Sequence, residues 1–321
     1  MTSLTVDRVA FSATVQDAGR LGHLMDGITW GGAMDCFAHR LGQRLVGNPS
    51  TSASIEIALG GFKATFTAPA CIALTGARCS VTLDTIPIPH NHTIRVDAGA
   101  TLDISGASLG TYVYLSISGG GFQTEPLFGS RSVVVRDGLG LPLAAGASIP
   151  YRSAITPLLY ALPPNSGTAK SAITLRFLPG FHISQASEHC LHMLESARFQ
   201  VSNQRDRMAI AIDGDKVVTT IKGQWSEPTV VGAIQIPPDG RPLILMADRQ
   251  TVGGYPVLGA VLSPDCRRLS QAQPGTPVRF QSVSDSQADR ILWLDRNYEM
   301  ELALAPQPGA TLRETGEWVS G

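Results

Sequence analysis

Short apolar runs separated by glycine, proline and small polar residues recur along most of the chain, and their lengths are those of β-strands. In the first half we predict strands over Ser54–Leu59, Phe62–Phe66, Cys71–Thr75, Ser80–Leu83, Thr93–Val96, Thr101–Ile104 and Thr111–Ile117. In the second half we predict strands over Thr174–Leu178, Phe199–Ser202, Met208–Ile212, Val217–Ile221, Thr229–Ile236, Pro242–Leu245, Val257–Leu262 and Val278–Val283. The regular spacing of the turn signals favours a closed barrel or a sandwich in each half.

Helical periodicity is confined to a few segments. The clearest case follows Ala33, where apolar residues recur at the spacing of an amphipathic helix, at Met34, Phe37, Ala38, Leu41 and Leu45. Asp35 suits the positive end of this helix, and Gly47-Asn48-Pro49 ends it. Two further helices are predicted, over Ser184–Ala197 and Gln287–Leu304.

Between the last two apolar runs before the C-terminal region lies the polar segment MADRQTVGGYP, residues 246–256. A hairpin needs only about two to five loop residues, and this segment carries more polar side chains than such a turn requires. Those side chains belong to Asp248, Arg249, Gln250, Thr251 and Tyr255. The Gly253-Gly254 pair lets backbone approach another group closely. Two interpretations stay open, a functional loop and a long solvated hairpin loop.

Proline and small polar residues concentrate between the two rounds of strands. We therefore divide the chain into an N-terminal domain at 1–155, a linker at 156–172, a C-terminal domain at 173–305 and a tail at 306–321. The predicted fold class is mainly β, with two similar β-barrel domains and a few short helices.

The composition excludes some classes of binding partner. Of the residues 43% are apolar and 16% charged, and the net charge of −1 gives no field that would attract nucleic acid or an anionic membrane. Five cysteines without a CxxC pair favour a reducing compartment. We expect no signal peptide, because the first residues lack a basic region followed by a long apolar run, and no apolar stretch approaches 18 residues; we therefore expect a cytoplasmic protein.

Three motifs point to chemistry that their context does not support. GASLG at 106–110 matches a nucleophile elbow, which needs a strand followed by a helix; the β-like run after it makes Ser108 a turn residue. Gly119-Gly120-Gly121 resembles a phosphate loop, but no Lys follows a Gly, so the GxxxxGK[ST] motif is absent. Two histidine pairs have metal-binding spacing but no third ligand, so no metal site is expected: His189 with His192, and His90 with His92.

Several blocks of sequence occur together between about Leu4 and Ala288. They are TVQDAGRLG at 14–22, GGAMD at 31–35, LVGNP at 45–49, IEIAL at 55–59, ALTGA at 73–77, RDRM at 205–208, IQIPPDGRPLILMADRQTVGGYP at 234–256 and QPGTPVRF at 273–280. In this order they resemble the family of the 5-oxoprolinase C subunit, also called KipA and allophanate hydrolase subunit 2. That family is similar to part of the carboxyltransferase region of urea carboxylase.

The resemblance implies two tandem cyclophilin-like β-barrels and ATP-dependent opening of 5-oxoproline to glutamate. It also implies two partners, a KipI-like protein that forms the B subunit of 5-oxoprolinase, and the A subunit of the same complex. Phosphorylation of the lactam oxygen before hydrolysis would require cations near the phosphates and donors near the developing oxyanion. ATP and Mg²⁺ are accordingly expected at the level of the complex. The substrate would be a small amide or lactam.

The same resemblance directs attention to particular residues. The candidate cations are Arg249 and Arg207. The candidate donors are Gln250, Thr251 and the backbone amides of Gly253 and Gly254. Asp248 could orient Arg249, bind Mg²⁺ or act as a base, and Tyr255 could close an apolar wall. Further binding candidates are Gln235, Asp17, Arg20, Gly31 and Gly32; of these, Asp17 and Arg20 lie three apart and could pair.

The chain departs from the family pattern at two places. The family usually reads Ser-Asp-Arg-Met-Gly with an arginine two residues later, whereas this chain has Arg205, Ala209 and Ala211 at the altered positions. The segment 136–145 lacks the Gly-Gly and Gly-Arg usually found there. A changed substrate pocket and a paralogue without catalysis both fit these departures.

Three functions stay open. The first is a component of an ATP-dependent 5-oxoprolinase. The second is the acceptor-side component of a biotin-dependent urea or amide carboxyltransferase; no Lys of this chain is followed by Met, so biotin is not attached here. The third is a non-catalytic regulatory protein that binds a KipI-like inhibitor.

Overall fold

The chain forms two compact units in the computed structural model, which describes residues 2–155, 159–161, 172–184, 188–219, 226–302, 304–307, 311–312 and 318–319. The first unit comprises residues 1–20, 36–167 and 303–321, and the second comprises residues 21–35 and 168–302. The glycine-rich segment 21–35 thus belongs to the second unit although it precedes the first helix. The predicted linker 156–172 and tail 306–321 lie largely outside the described residues.

Strands dominate the described residues, which confirms the mainly β class with a few short helices. In chain order the strands are β1 (Ser3–Val9), β2 (Ser12–Gln16), β3 (Ser54–Ala58), β4 (Gly60–Phe66), β5 (Ala70–Leu83), β6 (Ile86–Pro87), β7 (Thr93–Val96), β8 (Thr101–Ile117), β9 (Ser148–Pro150), β10 (Leu159–Ala161), β11 (Ile173–Pro179), β12 (Phe199–Arg205), β13 (Ala209–Gly214), β14 (Glu227–Pro228), β15 (Ala233–Gln235), β16 (Leu243–Leu245), β17 (Val252–Gly253), β18 (Val257–Val261), β19 (Pro277–Ser282), β20 (Ala305–Gln307), β21 (Thr311–Leu312) and β22 (Trp318–Val319). The helices are α1 (Cys36–Leu45), α2 (Glu188–Ser196), α3 (Ser263–Gln271) and α4 (Asp285–Glu301). Within the described ranges no helix is long and apolar enough to cross a membrane.

The first unit is built on a nine-stranded sheet in which β2, β3, β8, β4, β1 and β9 follow one another and β5 pairs with β6, β7 and β8. Its core consists of the inward side chains of these strands, among them the fully buried Phe62, Phe66 and Ile72. The predicted α1 is confirmed, and it packs on β5 and β8 with the Thr75 hydroxyl donating to the Ala38 carbonyl at 2.7 Å.

Two breaks that we predicted between short strands do not occur in this sheet: Ala70–Leu83 form one strand, β5, and Thr101–Ile117 form one strand, β8. β5 and β8 run through the sites where separate short strands were predicted, because bulges in their pairing between Gly76 and Val81 bend the ladder without ending it. Ser108 therefore lies within β8, where its hydroxyl donates to the Arg78 carbonyl at 3.2 Å. The predicted turn at Ser108 is wrong, and the exclusion of a nucleophile elbow is confirmed, since no helix follows this serine.

The second unit contains a closed barrel in the order β11-β18-β15-β16-β13-β12-β19. Aromatic side chains fill part of its interior: Phe280 packs edge-to-face on Phe199 and Phe177, with centroid separations of 5.4 and 6.3 Å. The strands on either side of the 246–256 segment do not pair with each other, because β15 lies between β16 and β18. The segment is thus a crossover, and the hairpin-loop interpretation is wrong.

Other corrections concern strand ends and one helix. Only Ala233–Gln235 of the strand predicted over 229–236 is extended in the barrel, and residues 217–219 are not in a strand, while 220–221 lie outside the described residues. α3 was not predicted, because Pro264 and the buried polar Asp265 mimic a turn. The Asp265 carboxylate accepts hydrogen bonds from Nε and Nη2 of Arg176 at 2.7 Å, which allows it to be fully buried.

The departure at Arg205 has a structural explanation. Arg205 donates from Nη2 to the Ser270 carbonyl at 2.6 Å and from Nη1 to the Ala272 carbonyl. These are carbonyls at the C-terminal end of α3, which have no partner within the helix. Arg205 thereby ties β12 to the end of α3.

Candidate functional site

Arg207 and Asp248 form a two-pronged ion pair in the second unit. Arg207 Nε and Nη2 each donate to one oxygen of the Asp248 carboxylate at 2.8 Å, and Nη2 also donates to the Gly32 carbonyl at 2.6 Å. Such a two-pronged pair is stronger and more directional than a single contact. It ties the 246–256 segment both to the turn before β13 and to the glycine-rich segment 21–35.

Main-chain bonds hold the 246–256 segment in register with the turn before β13. The Asp248 N–H donates to the Arg207 carbonyl, and the Met246 N–H donates to the Met208 carbonyl, both at 2.8 Å. Asp206 closes the turn that presents Arg207, since its carboxylate accepts the N–H groups of Met208 and Ala209 at 2.7 and 2.9 Å. An aspartate that accepts main-chain N–H groups two and three residues later stabilises such a turn. Together with the ion pair, in which both oxygens of Asp248 accept from Arg207, these bonds fix Asp248 beside the turn.

Thr229 organises the next residues of the segment. Its N–H donates to the Thr251 carbonyl at 3.0 Å, and its hydroxyl donates to the Gln250 carbonyl. The Thr229 carbonyl accepts from Nε of Arg249 at 3.4 Å. Thr229 thus lies beside both Arg249 and Gln250, although nothing in its sequence context distinguished it from an ordinary strand residue.

The side-chain amides of Gln235 and Gln250 face each other, with Gln250 Nε2 lying 3.4 Å from Gln235 Oε1. The backbone of Gly253 passes close to both amides. A Cβ at Gly253 would lie 2.6 Å from Gln235 Nε2, 3.2 Å from Gln250 Nε2 and 3.3 Å from Thr229 Cγ2. Only glycine fits here without displacing the two amides.

Three buried polar atoms of this cluster have no hydrogen-bond partner among the described residues: Arg249 Nη1, Gln235 Nε2 and Gln250 Oε1. Each side-chain amide can also be placed with its oxygen and nitrogen exchanged. If both are exchanged, one hydrogen bond still joins the two amides, and one amide oxygen and one amide nitrogen again have no partner. Buried polar groups are nearly always paired in proteins, with protein or with water or ligand. The cluster is therefore complementary to a small polar molecule that offers both a donor and acceptors.

Arg249 is the cation of this cluster. Only 4% of its surface is exposed, and burial lowers the pKa of its guanidinium. Within the part of the chain that the structure describes, Arg249 has no carboxylate partner. Burying a cation is costly unless an anion compensates it, so an anionic ligand group fits beside Arg249.

The other predicted residues of the 246–256 segment are Thr251, Gly253, Gly254 and Tyr255, and they lie at the edge of the cluster. The Thr251 carbonyl is engaged by Thr229, and Gly253 pairs with Glu227 across the short β14-β17 ladder. At Gly254 a Cβ would meet only Ser226 Oγ, at 3.9 Å. Tyr255 is 45% exposed, so its ring lies toward solvent more than against a wall of the cluster.

Gly31 and Gly32 belong to the same unit as the 246–256 segment. The Gly32 carbonyl accepts from Arg207, which gives this glycine a role in holding the segment rather than a direct place in the cluster.

Asp17 and Arg20 belong to the first unit, where they hold one loop. Asp17 accepts from the hydroxyls of Ser130 and Ser132 at 2.6 Å and from the N–H groups of Arg131 and Gly19 at 2.6 and 2.9 Å. Burial raises the pKa of this carboxyl, but these four hydrogen bonds outweigh burial and lower the pKa below its usual value.

Arg20 supports the same loop: its side chain is almost fully buried and donates to the Leu127 and Ser132 carbonyls. These contacts indicate that the TVQDAGRLG block has a structural role.

No cluster of three potential metal ligands occurs among the residues that the structure describes. The His189 side chain lies outside those residues, and His90 Nε2 is engaged by the Cys79 carbonyl at 2.9 Å. Burial raises the pKa of the Cys79 thiol to about 12, so this cysteine is no nucleophile near neutral pH.

A family model described as "Carboxyltransferase domain, subdomain A and B" matches residues 26–282. The chain is 30% identical over 305 residues to the C subunit of 5-oxoprolinase from Escherichia coli (strain K12), an alignment that covers 94% of this chain and 97% of that protein. It is 31% identical to the protein of the same name from Haemophilus influenzae (strain ATCC 51907 / DSM 11121 / KW20 / Rd), over 87% of this chain and 91% of that protein.

The solved structures of two large enzymes contain the same fold. Urea amidolyase of K. lactis superposes with a TM-score of 0.85 at 24% identity, covering 94% of this chain and 20% of that chain. Urea carboxylase of Kluyveromyces lactis superposes with a TM-score of 0.84 at 24% identity, covering 94% of this chain and 29% of that chain. At this identity the likeness concerns the fold alone.

Proposed function

The chain belongs to the carboxyltransferase domain family that includes the 5-oxoprolinase C subunit, and on that premise we propose that it is the component of a 5-oxoprolinase complex that binds the lactam substrate. The complex would open 5-oxoproline to glutamate at the expense of ATP. Its proposed partners are the A subunit of such an enzyme and a KipI-like protein as the B subunit. All five cysteines are free, in keeping with a cytoplasmic complex.

The observation that carries this proposal is the buried cluster of Arg249, Gln235 and Gln250 with its three unpaired polar atoms. A lactam presents an N–H donor next to a carbonyl acceptor, which is the complement of the acceptor and donor left open by the glutamine pair. The carboxylate of 5-oxoproline supplies the anion that the buried Arg249 lacks. A hydrogen-bonded site of this kind discriminates strongly against analogues that lack a matching group.

Within the described part of the chain, the candidate residues for a nucleotide and its metal are committed to other contacts. Arg207, one of the two candidate cations for phosphate, is committed to Asp248 and Gly32. Asp248 has both oxygens engaged, and the described residues offer no metal-ligand cluster. We therefore assign ATP and Mg²⁺ to the partner proteins and give this chain the recognition and orientation of the amide.

The same cluster suits a second candidate function. Urea presents the same donor and acceptor edge, and relatives named "Urea amidolyase" contain this domain. Such an acceptor-side role in a carboxyltransferase would use the glutamine pair in the same way. It would leave Arg249 without an anion, which is why we rank it second.

The test is ATP-dependent release of glutamate from 5-oxoproline by the purified chain together with its two candidate partner proteins. We expect glutamate only when all three proteins and ATP are present. Replacing Gln250 by Met keeps side-chain volume but removes the amide, and should lower kcat/KM at least about tenfold. The control Gln281→Met alters an exposed residue of β19 and should leave the rate unchanged. An assembled complex that releases no glutamate would overturn the proposal, and transfer of the carboxyl group of added carboxybiotin to urea by that complex, with release of biotin, would favour the second candidate.

A further inference from the structure

Glu227 is a carboxylate at the edge of the cluster that no predicted motif contains. It lies directly opposite Gly253 in the antiparallel β14-β17 ladder. Residues opposite each other in such a ladder point their Cβ atoms to the same face, about 5 Å apart. A Cβ at Gly253 would point at the amides of Gln235 and Gln250, so Glu227 projects on the face of the ladder that carries this pair.

Thr229 supports this placement. Because side chains alternate along an extended segment, residues two apart share a face. Thr229 lies two residues after Glu227, and its Cγ2 would be 3.3 Å from a Cβ at Gly253. The 227–229 segment therefore presents both Glu227 and Thr229 toward the cluster.

His182 fixes the carboxylate of Glu227. The Val257 N–H donates to His182 Nδ1 at 3.2 Å, which makes Nδ1 an acceptor and leaves the ring proton of the neutral imidazole on Nε2. Nε2 lies 3.3 Å from Glu227 Oε1. The His182 side chain is only 7% exposed and is therefore held firmly. Glu227 Oε2, in contrast, has no partner in the described ranges, and Glu227 is exposed.

We propose, resting on the proposed function, that Glu227 is a further binding residue of the lactam site and that His182 is its positioning residue. In the bound substrate the single lactam N–H is shared between the free amide oxygen of the glutamine pair and Glu227 Oε2, so that Glu227 accepts one branch of a three-centre hydrogen bond. His182 holds Oε1 so that Oε2 faces the ligand. A fixed carboxylate at the rim also disfavours ligands without a donor at that point, which makes Glu227 a determinant of specificity.

The decisive experiment measures KM and kcat for 5-oxoproline with the complete complex, comparing wild type with Glu227→Gln, His182→Asn and His182→Gln. Glu227→Gln keeps the size of the side chain and should raise KM about tenfold with kcat nearly unchanged, since the contact is made on binding. The control Glu301→Gln alters an exposed carboxylate at the end of α4 and should change neither constant.

The two histidine variants show whether His182 acts by positioning Glu227 or only by stabilising the fold. Asparagine can accept from the Val257 N–H but cannot reach Glu227, whereas glutamine can place its amide nitrogen near the position of Nε2 and donate to Glu227. We expect His182→Asn to raise KM about tenfold and His182→Gln to restore most of the wild-type value, with thermal midpoints within a few degrees of wild type. A purely structural histidine would give equal KM values in both variants.

The outcomes distinguish this inference from the proposed function. A wild-type complex that turns over 5-oxoproline while Glu227→Gln and His182→Asn keep its KM overturns the inference and leaves the function standing. A complex that assembles but has no activity overturns the function, and the inference falls with it.

Discussion

Arg207 and Asp248 meet through two parallel N–H···O bonds of 2.8 Å, and the same guanidinium reaches the Gly32 carbonyl at 2.6 Å. One largely buried ion pair thus joins three segments that are far apart in the sequence. Its role is to hold the 246–256 segment in place, so that Arg249 and Gln250 next to it face inward.

We expect Asp248→Ala to lower the free energy of unfolding by about 3 kcal/mol, because it leaves the largely buried Arg207 cation without its carboxylate. The double variant Arg207→Met with Asp248→Ala should lose less than the sum of the single losses. Urea unfolding of the four proteins measures this coupling. Strictly additive losses would show that the pair does not hold the segment.

Gly253 and Gly254 offer a matched pair of substitutions. Gly253→Ala places a Cβ 2.6 Å from Gln235 Nε2 and should lower kcat/KM for the lactam at least about tenfold by displacing the amides. Gly254→Ala meets nothing nearer than Ser226 Oγ at 3.9 Å and should be active. Neither residue has the left-handed backbone that would add strain. Equal activities of the two variants would contradict the placement of the site.

We expect the buried His39 to lower the free energy of unfolding in mild acid. Burial lowers the pKa of His39 from 6.5 to about 4, against an opposing hydrogen bond to Ser50 and the charge of Asp17. Between these values the unfolded chain binds the proton and the folded chain does not, so stability falls as the pH falls. From pH 7 to 5 this residue should account for about 2 kcal/mol.

His39→Asn keeps an acceptor for the Ser54 hydroxyl, which lies 2.8 Å from Nδ1, and removes the titration. Urea unfolding at the two pH values should show a smaller pH dependence in this variant. A variant as sensitive as wild type would assign the acid effect to other groups.

Ser108 should be dispensable for turnover. Its hydroxyl lies on β8 and donates to the Arg78 carbonyl, with neither a helix behind it nor a base beside it in the described structure. Ser108→Ala should therefore keep wild-type kcat, as measured by glutamate release. Loss of activity without loss of thermal stability would revive the hypothesis of a serine nucleophile.

The strands were predictable because their periodicity is local, and their ends were less so. β7 matches its prediction to the residue, over Thr93–Val96. The GASLG stretch suggested a turn, yet pairing of β8 with β5 carries the strand through it, and such pairing depends on residues about thirty positions away. α3 was not predicted because Asp265 is buried only through its ion pair with Arg176, and Arg176 is distant in the sequence.

The candidate site was predictable as a segment but not as an arrangement. The density of polar residues in 246–256 drew attention to Arg249 and Gln250, and the resemblance added Gln235. Nothing local indicated that β15 lies between the flanking strands, that Glu227 lies opposite Gly253, or that the Thr229 carbonyl accepts from Arg249. These relationships arise from strand order, which the spacing of residues along the chain does not encode.

Recognition of the lactam carboxylate by Arg249 underlies the proposed function. The most direct test compares kcat/KM for 5-oxoproline with that for 2-pyrrolidinone, which has the lactam but no carboxylate, in complexes containing wild type or Arg249→Met. Methionine keeps the apolar volume without the charge. We predict that wild type prefers 5-oxoproline and that Arg249→Met reduces this preference at least about a hundredfold, the effect of a buried charged hydrogen bond. An unchanged preference in a folded and assembled Arg249→Met complex would contradict this role of Arg249.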